Sequence, residues 1–144
     1  MIYMGLDYGS KRIGVACSDE TGFIADPVGV LLYQSESKMW QLLFESIKEN
    51  RAQAIVVGLP KRTTGEEGKE AKLVLKFVDQ LKKHVSCDVV TWDERFTTQE
   101  ADRLMREVDL SIKKRKEKRD ALAAKIMLQS FLDYKRRESS SCIN

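Results

Sequence analysis

The amino-terminal stretch at residues 2–33 decides the fold, and it reads IYMGLDYGSKRIGVACSDETGFIADPVGVLLY. Three of its segments are extended in character, Ile2–Asp7, Arg12–Ser18 and Pro27–Tyr33. The links between them are short and rich in turn residues, and strands joined in this way pair antiparallel. The stretch therefore predicts a three-stranded meander.

Beyond residue 33, apolar residues recur alternately at helical and at strand spacing. The predicted elements are a helix around residues 40–47, a strand at 54–60, a helix around 73–81, a strand at 88–92, a helix around 101–108 and a last helix that opens at residue 120. A meander followed by βα units describes an α/β fold, a five-stranded mixed sheet with helices against both faces. We expect a single domain over residues 1–137 and a polar tail over residues 138–144.

The basic excess of the chain is concentrated in one short run. The 144 residues carry 25 Lys and Arg against 22 Asp and Glu, a net charge of +3. The run KKRKEKR at residues 113–119 holds six basic side chains and one acidic one, so the rest of the chain is slightly acidic. Any polyanionic partner is expected to meet this run first.

Composition excludes several classes of protein. A hydrophobic fraction of 42% with 8 Gly and 2 Pro is ordinary for a globular domain and unlike collagen or a disordered chain. The apolar runs are much shorter than the ~20 residues of a membrane-spanning helix, and the start of the chain lacks a signal-peptide pattern. Three widely separated cysteines indicate neither a disulfide framework nor a zinc site. We therefore expect a cytoplasmic protein without a membrane partner.

Three acidic residues stand where sheets of this kind gather functional groups. Asp7 ends the first predicted strand, directly before a glycine-containing turn, and Glu94 follows the strand at 88–92. Asp120 extends the apolar stripe of the last helix, which contains Ala123, Ala124 and Met127. Together the three carboxylates could surround Mg²⁺ or Mn²⁺, which prefer oxygen ligands.

Each of these acids also has a purely structural explanation. Asp7 could begin the turn by bonding its own backbone, and Glu94 could be a solvated strand end. Asp120 could be the N-cap of its helix. The spacing of the three residues does not choose between these explanations and a shared metal site.

Four blocks of the sequence resemble the YqgF family in their order and spacing. They are GLDYGSKRIGVACSD at 5–19, GLP at 58–60, DERFTTQEA at 93–101 and DALAAKIMLQSFLD at 120–133. Members of that family are regarded as Holliday-junction resolvases and as nucleases that mature the precursor of 16S ribosomal RNA. The resemblance implies an RNase H-like fold of the RuvC-like branch, with Asp7, Glu94 and Asp120 as catalytic metal ligands and Mg²⁺ or Mn²⁺ as cofactor.

The chain departs from the family pattern at three places. Lys61 and Arg62 follow GLP, where the family usually has an apolar or amide-rich loop, and Arg119 precedes Asp120, where it tends to have an apolar residue. Resolvase relatives also use a fourth carboxylate near the third. Here the next acid after Asp120 is Asp133, about three and a half helical turns away.

From the resemblance we expect a metal-dependent nuclease that hydrolyses phosphodiester bonds of structured nucleic acid. Its expected substrate is the 5′ end of precursor 16S rRNA, in ribosome biogenesis, or a Holliday junction, in DNA recombination. The chain is expected to act as a monomer or weak homodimer. A non-catalytic nucleic-acid-binding module on the same fold remains an alternative. A phosphotransferase is a weaker one, because a kinase of this topology needs two such domains.

The predicted phosphate contacts are basic residues beside Asp7 and Glu94, after the strand at 54–60, and in the run at 113–119 that ends before Asp120. They are Lys11, Arg12, Lys61, Arg62, Arg95, Lys113, Lys114, Arg115, Lys116, Lys118 and Arg119. Surface solubility is the alternative role of each residue, and a flexible solvated linker is the alternative for the run at 113–119. Phosphate contacts predict binding that weakens steeply with salt.

Overall fold

A computed structural model of the chain describes residues 1–60, 68–94 and 116–143. Five strands lie in these ranges, β1 Tyr3–Tyr8, β2 Arg12–Ser18, β3 Ala25–Leu32, β4 Ala54–Leu59 and β5 Asp88–Asp93. The helices described are α1 Glu36–Glu49, α2 Lys69–His84 and α3 Lys116–Ile143. The predicted helix around residues 101–108 lies outside the described residues.

The five strands form one mixed sheet in the order β3-β2-β1-β4-β5. The meander is confirmed, because β1 pairs antiparallel with β2 and β2 pairs antiparallel with β3. The pairs β1 with β4 and β4 with β5 are parallel. The carboxyl ends of β1, β4 and β5 therefore meet at one edge of the sheet.

Helices cover both faces of the sheet, as predicted. On β1, Met4 and Leu6 are fully buried against α1 and α2. Tyr3, whose side chain points to the opposite face, packs with α3. The same alternation divides the residues of β4 between the two cores, so each face is covered by its own helices.

The last helix begins earlier than the sequence pattern indicates. α3 starts at Lys116, so the prediction that it opens at Asp120 is wrong, and so is the N-cap explanation of Asp120. The residues immediately before Asp120 belong to the helix instead of a solvated link, because Lys, Glu and Arg are good helix formers. The helix also continues to Ile143, through residues predicted as a tail.

The inner face of α3 is apolar and closely packed. Ala124, Met127 and Leu128 are buried against the sheet, while Ala123 is only partly buried. None of the helices within the described residues is long and apolar enough to cross a membrane.

Candidate metal and nucleic-acid site

Asp7 lies near the carboxyl end of β1, the central strand of the sheet, and a glycine flanks it on each side. In the antiparallel ladder its partner is Gly14 of β2. On the other side Leu6 pairs with Val57, so Gly58 of β4 is the next position along. The absence of side chains at both glycines leaves room above the sheet on either side of the Asp7 carboxylate.

Helix α3 uses the space above Gly14. A Cβ atom at position 14 would collide with the backbone carbonyl oxygen of Asp120. The backbone of α3 therefore rests directly on β2 at this point, beside the strand that carries Asp7. Asp120 is brought to Asp7 from one side by this contact.

Glu94 uses the space above the second glycine. Its side chain extends from the end of β5 over Gly58, and the side chain of Met127 also contacts this position. Because β4 lies between β5 and β1 in the sheet, the Glu94 carboxylate approaches Asp7 from the side opposite Asp120. The structure thus brings the three predicted acids together at one edge of the sheet.

The pKa values of Asp7 and Glu94 agree with this proximity. Burial and the neighbouring charge of Asp120 raise the pKa of Asp7 from its ordinary 3.8 to about 6. Burial, followed by the charges of Asp7, Asp93 and Glu70, raises the pKa of Glu94 from 4.5 to about 7. Carboxylates that disfavour one another's ionised form in this way are stabilised by a nearby cation.

A cleft of about 220 Å³ opens at this edge of the sheet and is lined by Asp7, Tyr8, Gly9, Ser10, Lys11, Arg12 and Asp120. Within it, the Nε of Arg12 donates a hydrogen bond of 2.7 Å to Oδ2 of Asp120. Arg12, predicted as a phosphate contact, is thus the direct partner of a predicted metal ligand. Lys11 is exposed at the same cleft.

The donor set fits a hard divalent cation. All three candidate ligands are carboxylates, the oxygen donors that such ions prefer. The Asp7 carboxylate receives no hydrogen bond from any residue that the structure describes. At Asp120 the carboxylate is paired with a positive charge, the Arg12 guanidinium. Across residues 1–60, 68–94 and 116–143, no three His, Cys, Asp or Glu side chains are close enough to hold an ion as they stand. At least one of the three carboxylates must therefore move for all three acids to share a metal.

The predicted basic contacts are only partly covered by the structure. Arg119 is exposed on α3, one residue before Asp120, and Lys116 and Lys118 lie in the first turn of the same helix. The others, Lys61, Arg62, Arg95, Lys113, Lys114 and Arg115, lie outside the described residues.

The two glycines that position the acids, Gly14 and Gly58, were not predicted as part of the site. Glycine inside a strand indicates close approach by another group, and this signal is present at Gly14 and Gly58. At a third glycine, Gly5 of β1, the space is filled by Leu128 and the backbone of α3. All three glycines therefore accommodate elements of the protein that cover the sheet.

Comparison with known proteins identifies the family. A family profile described as RuvX, Holliday junction resolvase, matches residues 1–134. A protein of Thermoanaerobacter pseudethanolicus named "Putative pre-16S rRNA nuclease" is 43% identical over 134 residues, which cover 92% of this chain and 96% of that protein. A protein of the same name from Clostridioides difficile is 43% identical over 132 residues, covering 92% and 94%.

The fold also matches a solved resolvase structure. Thermus thermophilus RuvC in complex with Holliday junction substrate superposes with a TM-score of 0.64 at 16% identity, covering 95% of this chain and 96% of that chain. At this identity the likeness concerns the fold alone, and it confirms the RNase H-like architecture. Because the profile and the sequence relatives span almost the whole chain, the chain belongs to the RuvX, or YqgF, family of Holliday junction resolvases, a family of nucleases.

Proposed function

We propose that the chain is a divalent-metal-dependent nuclease that hydrolyses a phosphodiester bond near the 5′ end of precursor 16S rRNA. The observation that carries the proposal is the convergence of three carboxylates at one edge of the sheet. Burial, followed by the charge of Asp120, raises the pKa of Asp7, and burial, followed by the charge of Asp7, raises the pKa of Glu94. Burying carboxylates close together lowers the stability of the folded protein, and such clusters are typical of functional sites.

Asp7, Glu94 and Asp120 would hold Mg²⁺ or Mn²⁺. When bound, such ions neutralise the charge of the reacting phosphate and lower the pKa of a water molecule that attacks phosphorus. Asp7 is the most firmly fixed of the three, since it lies in a strand paired on both sides. Lys11, exposed at the cleft, is suited to bind the phosphate backbone.

A protein nucleophile or histidine base is not needed by this mechanism. The chain has one histidine, and it ends α2. The centre of the His84 ring lies 5.4 Å from that of Trp40 and 5.9 Å from that of Phe44, and His84 does not line the cleft. Its position among the basic residues of the last turn of α2 favours a stabilising role at the helix terminus.

Two observations favour RNA processing over junction resolution. The relatives with 43% identity are named for precursor 16S rRNA, whereas the RuvC likeness is structural. The next acid along α3, Asp133, is bonded to Gln129 and Arg136. It lies about 20 Å from Asp120 along the helix, too far to supply a fourth carboxylate.

A cleavage assay with two substrates tests the proposal. The full chain is incubated with Mg²⁺ or Mn²⁺ and either an RNA spanning the 5′ end of precursor 16S rRNA or a four-way DNA junction. Asp7→Asn should cut the RNA more than about a hundredfold more slowly than wild type. Asp79→Asn, on the exposed surface of α2, is the matched control and should cut normally.

The other outcomes identify the rival functions. Equal cleavage by wild type and Asp7→Asn would remove Asp7 from the mechanism. Faster cutting of the junction than of the RNA would replace RNA processing with resolution. Tight binding of RNA without cleavage in either metal would leave a non-catalytic binding module.

A further inference from the structure

Arg12 and Asp120 form an ion pair inside the candidate cleft. The Nε of Arg12 lies 2.7 Å from Oδ2 of Asp120, and the two side chains are 28% and 29% exposed. A charge-assisted hydrogen bond between partly buried groups is stronger than an ion pair on open surface. The contact joins the first residue of β2 to the second turn of α3.

The backbone of Arg12 is held firmly in place. Its carbonyl oxygen accepts a hydrogen bond of 2.9 Å from the Gly9 N–H, and Arg12 pairs with Leu32 in the ladder between β2 and β3. The carbonyl oxygen of the preceding residue, Lys11, accepts a second bond of 2.9 Å from the Tyr33 N–H. The guanidinium therefore projects from a fixed point toward Asp120.

The guanidinium and a divalent ion make opposing demands on the Asp120 carboxylate. One oxygen is engaged by Arg12, and the positive charge of Arg12 reduces the attraction of the cleft for a second cation. We propose that Arg12 is a positioning residue that holds Asp120 in the metal-free cleft. By competing for this carboxylate, Arg12 lowers the affinity of the cleft for Mg²⁺ or Mn²⁺, an inference that rests on the metal site of the proposed function.

An ion held by Asp120 would replace the Arg12 guanidinium at this carboxylate. The guanidinium would remain within side-chain reach of the cleft, because the Arg12 backbone is fixed at its rim. A phosphate oxygen is a natural partner for a guanidinium, so the exchange would make Arg12 available to the nucleic acid only after the metal is in place.

Calorimetric titration with Mn²⁺, without nucleic acid, tests the competition. The full-length wild type is compared with Arg12→Gln, Arg12→Lys and Lys11→Gln, each first shown by thermal unfolding to be folded. Arg12→Gln should bind Mn²⁺ about tenfold more tightly than wild type, equivalent to about 1.4 kcal/mol. Arg12→Lys keeps the charge but loses the planar fork and should fall in between.

Lys11→Gln is the matched control, because it removes the same charge from the same cleft without touching Asp120. Its gain in Mn²⁺ affinity, from the lost charge alone, should be well below that of Arg12→Gln if the ion pair itself is the cause. The role of Arg12 would be overturned if Arg12→Gln bound Mn²⁺ no more tightly than wild type, or if Lys11→Gln gained as much Mn²⁺ affinity as Arg12→Gln. Either result would leave the metal site intact. Failure of every protein, wild type included, to bind Mn²⁺ would overturn the proposed metal site itself.

Discussion

The carboxylate of Glu94 lies directly over Gly58, so closely that a Cβ atom at position 58 would be 2.6 Å from Oε1 of Glu94. Gly58 belongs to β4, the strand between those that carry Asp7 and lead to Glu94. The missing side chain is thus what allows the Glu94 carboxylate to lie across the sheet toward Asp7. Gly58 positions an acid of the candidate site without any chemistry of its own.

Gly58→Ala should therefore separate activity from stability. The atoms in the way are the ends of two flexible side chains, Glu94 and Met127, so the free energy of unfolding should fall by only about 1 kcal/mol. The displaced Glu94 carboxylate should weaken Mn²⁺ binding and slow cleavage by about tenfold or more. Urea unfolding and Mn²⁺ calorimetry of the same preparation measure both effects, and wild-type Mn²⁺ affinity in this variant would contradict the positioning role.

Gly14→Ala should lower the stability of the protein much more than Gly58→Ala does. The new methyl group would meet the backbone carbonyl oxygen of Asp120, which cannot move without lifting α3 from the sheet. We expect a loss of more than about 3 kcal/mol in the free energy of unfolding. Urea unfolding measures it, and a loss equal to that of Gly58→Ala would show that α3 does not rest on β2 at this residue.

The metal-free protein should lose stability as the pH rises from about 4 to about 7. Folding raises the pKa of Asp7 from 3.8 to about 6 and that of Glu94 from 4.5 to about 7. The folded state therefore binds more protons than the unfolded state between these values, and its advantage is lost as the acids ionise. The Asp7 shift alone corresponds to about 3 kcal/mol.

Chemical unfolding in EDTA across this pH range measures the effect. Asp7→Asn removes the main charge acting on Glu94, so it should flatten the pH dependence and exceed wild type in stability at pH 8. Asp79→Asn should retain the wild-type slope. If the stability of wild type instead rose steadily over this range, the carboxylates would not be crowded as described.

Reversing the charge of Lys113, Lys114, Arg115 and Lys116 should weaken RNA binding and reduce its dependence on salt concentration. Each lost phosphate contact lowers the slope of log K against log salt by about 0.7 to 0.9. Mn²⁺ affinity should be unchanged. Charge reversal of Lys82 and Lys83, in the last turn of α2, is the control, and an unchanged slope in the first variant would return the run to the status of a solvated linker.

The sheet was largely predictable because its signals are local. Strand β2 has the predicted bounds, and β1 differs by one residue at each end. The register of Asp7 with Gly14 confirms the predicted antiparallel turn between β1 and β2. Short links and period-two patterns require no knowledge of distant residues.

The arrangement of the site was less predictable because it depends on contacts between distant residues. Arg12 and Asp120 are 108 positions apart, and no local pattern encodes their pairing. The start of α3 was missed because a charged run shows no apolar period, although its residues favour helix. A glycine inside a strand, such as Gly58, indicates that another group approaches closely. The sequence does not show that this group is Glu94, which follows another strand.

The central claim is that Asp7, Glu94 and Asp120 together bind the catalytic metal, and a crystal structure of the full chain soaked in Mn²⁺ tests it most directly. Anomalous scattering should locate at least one ion about 2.1 Å from an Asp7 oxygen, with Glu94 and Asp120 completing its ligands and Asp120 released from Arg12. Mn²⁺ bound elsewhere, or a cleft without Mn²⁺ in which Arg12 still holds Asp120, would contradict the claim.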